Sequence, residues 1–210
     1  MKELPPGYAV TRDGLHRLAC FVVAPARKAV DGRIGLRPSH EGFGTPPFGP
    51  SERRVAVRGD ELVVSERGME VVRGLITTLT AAAWLAGVDL VADPGVGKDL
   101  PPFEPDAPLA VDADASGVLG AWFHFGDAVL SELRASATLG EEWIWPEHFD
   151  LGATHDERVN IGFSPGDGFH AEPYVYVGPR DRSGLSGEYW NAPFGAYLGY
   201  SSLLEAPDPE

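Results

Sequence analysis

Apolar residues recur at helical spacing in three stretches of the chain. Leu15, Leu18, Ala19 and Val22 predict a first helix that begins near Thr11 or Asp13, either of which can cap it, and ends or kinks at Pro25. Val72, Leu75, Ile76, Leu79 and Ala83 predict a second, over Met69 to Ala86, with Gly87 as its stop. Val118, Trp122, Phe125, Val129 and Leu133 predict a third, from about Ser116 to Ala135, with Asp114 or Ser116 as caps. Elsewhere the pattern shortens to alternation. RRVAVRGDELVVSE reads as a hairpin turning at Gly59-Asp60. GRIGLRP and VDLVAD read as short strands, and further strands are expected near 142–154, 158–164, 173–178 and 194–203.

Helices and strands in mixed order, closing on consecutive strands with short turns, define an α+β fold class: a mainly antiparallel sheet packed with about three helices. The chain is read as a single domain over 1–204, with a Pro- and acid-rich connector at 93–113 and an acidic tail at 205–210. With 210 residues it can bury a substantial core.

Charge alters this picture more than composition does. The net charge is −14, and it is lopsided: residues 1–98 hold 13 basic and 11 acidic side chains, residues 99–210 only 4 against 20. Such a surface repels phosphate backbones and anionic lipid heads, so no nucleic acid and no membrane are expected as partners; cations, uncharged ligands or a basic partner fit better. The lone Cys20 rules out an internal disulfide, and its apolar neighbours predict an inert buried thiol. The start lacks a signal-peptide core and no apolar stretch is long enough for a membrane helix, so a cytoplasmic protein is expected. The sequence leaves the oligomeric state open.

Familiar reaction motifs fail. GVGKD at 95–99 lacks the P-loop glycine and hydroxyl, since Ala92 and Asp99 stand there. There is no GxGxxG or HExxH.

Candidate chemistry concentrates between Trp143 and Tyr200, where 12 of the 21 aromatic residues fall. If 147–153 is extended, His148 and Asp150 share one face, a spacing suited to a general base with its orienting carboxylate or to two metal ligands. The loop from Ser164 to Glu172 adds Asp167, His170 and Glu172. A hairpin over 147–164 would bring these together with His148 and Asp150 as a five-residue set for a divalent metal, the one cofactor considered. Trp145, Tyr174, Tyr176 and Trp190 are the candidate apolar walls of a ligand pocket, with Asn191 as a directional hydrogen-bonding group. Two readings follow. One is a small-molecule binding protein, an enzyme if His148 and Asp150 are catalytic; the other is a structural or protein-interaction module with an acidic C-terminal surface.

The strings GRIGLRP, GFGTPPF, WPEHFDLG, VNIGFSPGD, EPYVYVGP and YWNAPFGA together resemble an uncharacterised bacterial protein family over about residues 13–204. The resemblance implies a bacterial, cytoplasmic, single-domain protein. It brings no activity, cofactor or catalytic residue.

Overall fold

The computed structural model describes residues 3–39 and 41–205; all but the first residue of the expected acidic tail lie outside them. The chain forms two five-stranded antiparallel sheets with helices, a mixed α+β architecture. Each sheet is a meander that follows helical structure in the sequence. Helices α1 (Tyr8–Leu18) and α2 (Ala24–Asp31) precede β1 (Arg37–Ser39), β2 (Gly42–Gly44), β3 (Arg54–Arg58), β4 (Glu61–Glu66) and β5 (Met69–Leu75). Helices α3 (Leu79–Ala86) and α4 (Ala113–Arg134) precede β6 (Trp143–Trp145), β7 (Asp150–His155), β8 (Val159–Ser164), β9 (Tyr174–Pro179) and β10 (Ala196–Gly199). Helix α5 (Tyr200–Glu205) follows β10. No described helix is long and apolar enough to cross a membrane.

The two meanders meet at their first strands. Leu36 and Ile144 exchange both backbone hydrogen bonds at 2.9 Å, placing β1 beside β6. Around this seam Trp143 packs between Arg27 and Arg37, whose guanidinium carbons lie 5.3 and 4.0 Å from its ring centroid. Gly35 makes room for that indole, because a β-carbon there would fall 2.7 Å from Cε3. Glu142, buried beside the seam, accepts hydrogen bonds from both Arg37 and Arg134. Helix α4 lies across both sheets, touching β1 and β2 on one side and β7 and β8 on the other. Its Gly126 fits against Phe163, and Phe123 meets Phe43 and Phe149 edge-on, so one cluster of buried side chains includes residues of both sheets.

Several expected elements differ. Pro25 does not end the first helix: a buried π-turn at Ala19–Val23, closed by Ala24 N–H reaching back to the Ala19 carbonyl, carries the helical path on to Asp31. The wider turn absorbs the proline's missing donor just ahead of it. The helix expected over Met69–Ala86 is split, its first part being strand β5. Its β-branched residues pair with β4 across a turn at Arg67-Gly68, and Thr78 then caps the shorter α3 by accepting from Ala81 N–H. The third helix starts three residues early, capped by Asp112 and not by Asp114 or Ser116. VDLVAD is not a strand. The 93–113 segment is irregular but docked: Phe103 packs on Phe21, Leu109 N–H bonds to the Thr77 carbonyl, and Gly14 of α1 accommodates the Leu109 carbonyl, which a β-carbon would meet at 2.1 Å. The Gly59-Asp60 hairpin stands as expected, with Arg58 opposite Glu61.

Candidate functional site

Alternation along β6–β10 gives this sheet two unlike faces. Ile144, Leu151 and Phe163 point into the core. The register aligns Asp150, Gly152, Gly162, Ser164, Tyr174 and Tyr176 on the other face. There the paired Gly152 and Gly162 leave a trough, and the Tyr176 ring occupies it. A β-carbon on Gly162 would fall 2.4 Å from Tyr176 Cζ, and one on Gly152 3.5 Å from Oη. The tyrosine thus reaches across two strands to donate its hydroxyl proton to Asp150 Oδ2.

Asp150 is 8% exposed, and its second oxygen, Oδ1, is buried with no hydrogen-bond partner among the described residues. Burial pushes its carboxyl above the usual aspartate range, outweighing the Tyr176 hydrogen bond and the nearby His148. Burial and the same carboxylate push the Tyr176 phenol up in turn, so the hydroxyl stays a donor. Beside this pair, Tyr174 donates to Asp167 Oδ2 at 2.7 Å, while Asp167 Oδ1 accepts from the backbone N–H groups of Phe169 and His170. Asp167 therefore builds the 164–172 turn and orients a tyrosine at once.

These groups line a cleft of about 630 Å³ together with His16, Glu147, His148, Asn160, Ser164, Arg180, Arg182 and Phe194. The rings of Tyr174, Tyr176 and Phe194 form its aromatic wall, with centroids 5.9–6.4 Å apart. Its volume falls within the range of small-molecule sites.

The strand assumed over 147–153 begins only at Asp150. Residues 146–149 form a turn closed by Phe149 N–H to the Trp145 carbonyl at 2.7 Å, with Phe149 in the left-handed region at φ 53°. That turn drives the Phe149 ring into the core, parallel to His16 at 5.3 Å, and breaks the phase that would have aligned His148 with Asp150. His148 is exposed and makes no hydrogen bond or ion pair with Asp150; its Nε2 lies 3.5 Å from Glu147 Oε1 instead. The expected base-and-orienter contact is not formed. Glu147 Oε2 accepts from Lys98 N–H, and Gly97 lets the carboxylate lie against the backbone. The GVGKD segment is thus a docking point for the turn at the cleft.

The five candidate metal ligands do not gather. His148, Asp150 and Asp167 line the cleft, whereas His170 and Glu172 line a separate small depression with Asn191 and Tyr197. His170 packs against the Tyr174 and Tyr197 rings, and Glu172 accepts from the Ser201 hydroxyl at 2.6 Å. Among the described residues, no group of three or more His, Cys, Asp or Glu side chains is placed to hold a metal ion.

Of the candidate ligand-binding residues, Tyr174 and Tyr176 line the cleft and three do not. Trp145 is 39% exposed outside it. Trp190 meets Tyr189 edge-on at 4.9 Å on the surface. The Asn191 amide is consumed by the Tyr197 backbone, donating to its carbonyl and accepting from its N–H. Sequence reading passed over His16, Asn160, Phe194, Arg180 and Arg182. His16 carried one faint signal: it follows Arg12 by one helical turn. Arg12 bonds to the Ala171 carbonyl and His16 Nε2–H to the Glu147 carbonyl at 3.2 Å, so this face of α1 meets both loops of the site. Burial lowers the His16 pKa, against the opposing hydrogen bonds to the Glu147 and Pro146 carbonyls.

Against known proteins, no family model, no curated protein and no solved structure matches the chain.

Proposed function

We propose that this is a cytoplasmic small-molecule binding protein whose ligand enters the cleft over β7, β8 and β9. The observation that carries the reading is Asp150. A carboxyl group this buried, with one oxygen satisfied by a tyrosine and the other by no described protein group, costs stability unless it is partnered. Such a cost is accounted for when a ligand's donor completes the set. The neighbouring aromatic wall supplies apolar contact, and Asp167 fixes the orientation of one of its rings. The single, buried, unpaired cysteine is compatible with a reducing compartment and supports the cytoplasmic part of this reading.

The test is a thermal-shift screen of small polar compounds against the wild type, Asp150→Asn and Tyr176→Phe, with hits confirmed by calorimetry. A ligand site gives compounds that raise the melting temperature of the wild type and lose at least about tenfold in affinity, or 1.4 kcal/mol, in both variants. Hits that bind all three proteins equally, or a screen without hits, would reject the cleft as the ligand site. The interaction-module reading would then gain.

A further inference from the structure

The cleft is charged differently at its two ends. Asp150, Asp167 and the tyrosine hydroxyls occupy one end. Arg180 and Arg182 occupy the other, just beyond the end of β9. These arginines are conspicuous in their context, because residues 99–210 hold only four basic side chains against 20 acidic ones. Two of those four line this one cleft, and a third, Arg134, is bound to Glu142. Among the described residues neither Arg180 nor Arg182 has a carboxylate partner. Arg182 is instead held in place by donating from Nη1 to the Pro193 carbonyl at 2.8 Å, beside Phe194 of the aromatic wall. Arg180 is held by its backbone N–H, which bonds to the Arg158 carbonyl at 2.8 Å and extends the β8–β9 ladder.

We infer that the cleft selects a small zwitterion, with a protonated nitrogen set against Asp150 and Tyr176 and a carboxylate or similar anion set against Arg180 and Arg182. This rests on the cleft being a ligand site. An ammonium or guanidinium group provides the donor that Asp150 lacks, and the faces of Tyr174, Tyr176 and Phe194 add cation–π attraction. The anionic end finds two guanidinium groups that no carboxylate among the described residues occupies. Four residues of extended chain separate Tyr176 from Arg180, about 13 Å between α-carbons. Allowing for the reach of an arginine, that suits charges separated by a chain of several methylenes better than an α-amino acid.

The experiment is calorimetry on the full chain with 6-aminohexanoate and 8-aminooctanoate, against hexylamine and hexanoate as single-charge controls. The zwitterion that fits best should bind at least about tenfold more tightly than either control. Arg180→Gln with Arg182→Gln should reduce it to the affinity of hexylamine while leaving hexylamine itself unchanged. Asp150→Asn should remove its advantage over hexanoate. Thermal melts of each variant establish that it is folded. Equal binding of zwitterion and either control overturns the inference, as does zwitterion binding indifferent to the arginines or to Asp150. If none of the four probes binds up to 10-millimolar-order concentration, roughly the weak end of specific association, the inference also falls. The cleft reading then survives only if screen hits depend on Asp150 and Tyr176, which separates the two failures.

Discussion

Tyr176 and Gly162 face each other across β8 and β9 so closely that the tyrosine occupies the space of the side chain Gly162 lacks: a β-carbon there would fall 2.4 Å from Cζ. Gly162→Ala should therefore destabilise the protein by about 1–3 kcal/mol, the usual cost of overpacking, and detach Tyr176 from Asp150. In a Tyr176→Ala background the same substitution should be neutral or slightly stabilising, since glycine in a strand interior otherwise costs about 0.5–1 kcal/mol. Urea denaturation of the four proteins in the cycle measures this. Equal costs in both backgrounds would show that the contact is not what demands glycine.

Asp150 gives a pH dependence of known sign. Its carboxyl is raised above the ordinary 3.8 by burial, so its contribution to stability is fully present below that value and is lost as pH rises through the folded-state pKa. Asp150→Asn cannot lose a proton. The stability of the variant relative to the wild type should therefore be least favourable near pH 4 and increase with pH, with a slope of at most about 1.4 kcal/mol per pH unit. Denaturation midpoints of both proteins across pH 4–8 test it, and a constant difference would reject the shift.

Glu142 predicts the opposite trend. Burial alone would raise its pKa, but the Arg134 hydrogen bond and the Arg37 charge outweigh burial and hold the carboxyl below the ordinary 4.5. Its contribution is present above that value and is lost as pH falls through the depressed one. Glu142→Gln should cost about 1.5–3 kcal/mol at pH 7, the worth of hydrogen bonds to a charged group, and progressively less in acid. A pH-independent cost, read from denaturation at pH 3 and pH 7, would mean that the charge contributes nothing.

How much of this was legible in the sequence depended on how local the cause was. The hairpin at Gly59-Asp60 and strands β8 and β9 were readable because turn residues and alternation act over a few positions, whereas the strand expected near 142–154 is broken at 146–149 and the one expected near 194–203 gives way to α5 at Tyr200. β5 was not, because Val72, Leu75 and Ile76 recur at helical spacing and Leu75 falls on the exposed side of the strand; pairing with β4 overrode that spacing. The π-turn ahead of Pro25 has no local signature. Asp150, Asp167, Tyr174 and Tyr176 come together at the cleft because they sit on or beside consecutive strands. His148 was misplaced in phase by one left-handed residue, Phe149. Arg180 and Arg182 carry no local signal because they stand out only by contrast, as basic groups without a carboxylate partner among the described residues where acids predominate.

The bridge between Leu36 and Ile144 bears on which strand edges the fold leaves open. Two separate five-stranded meanders would expose four strand edges, each a template for pairing with another chain. A single pair of hydrogen bonds joins β1 to β6 and covers two of them, leaving only β5 and β10 as outer edges. The strands brought together are three residues each, too short to offer a long ladder even when the seam opens. Loosening the seam would free two edges at once, but each is only three residues long, so the surroundings of Trp143 matter chiefly for joining the halves.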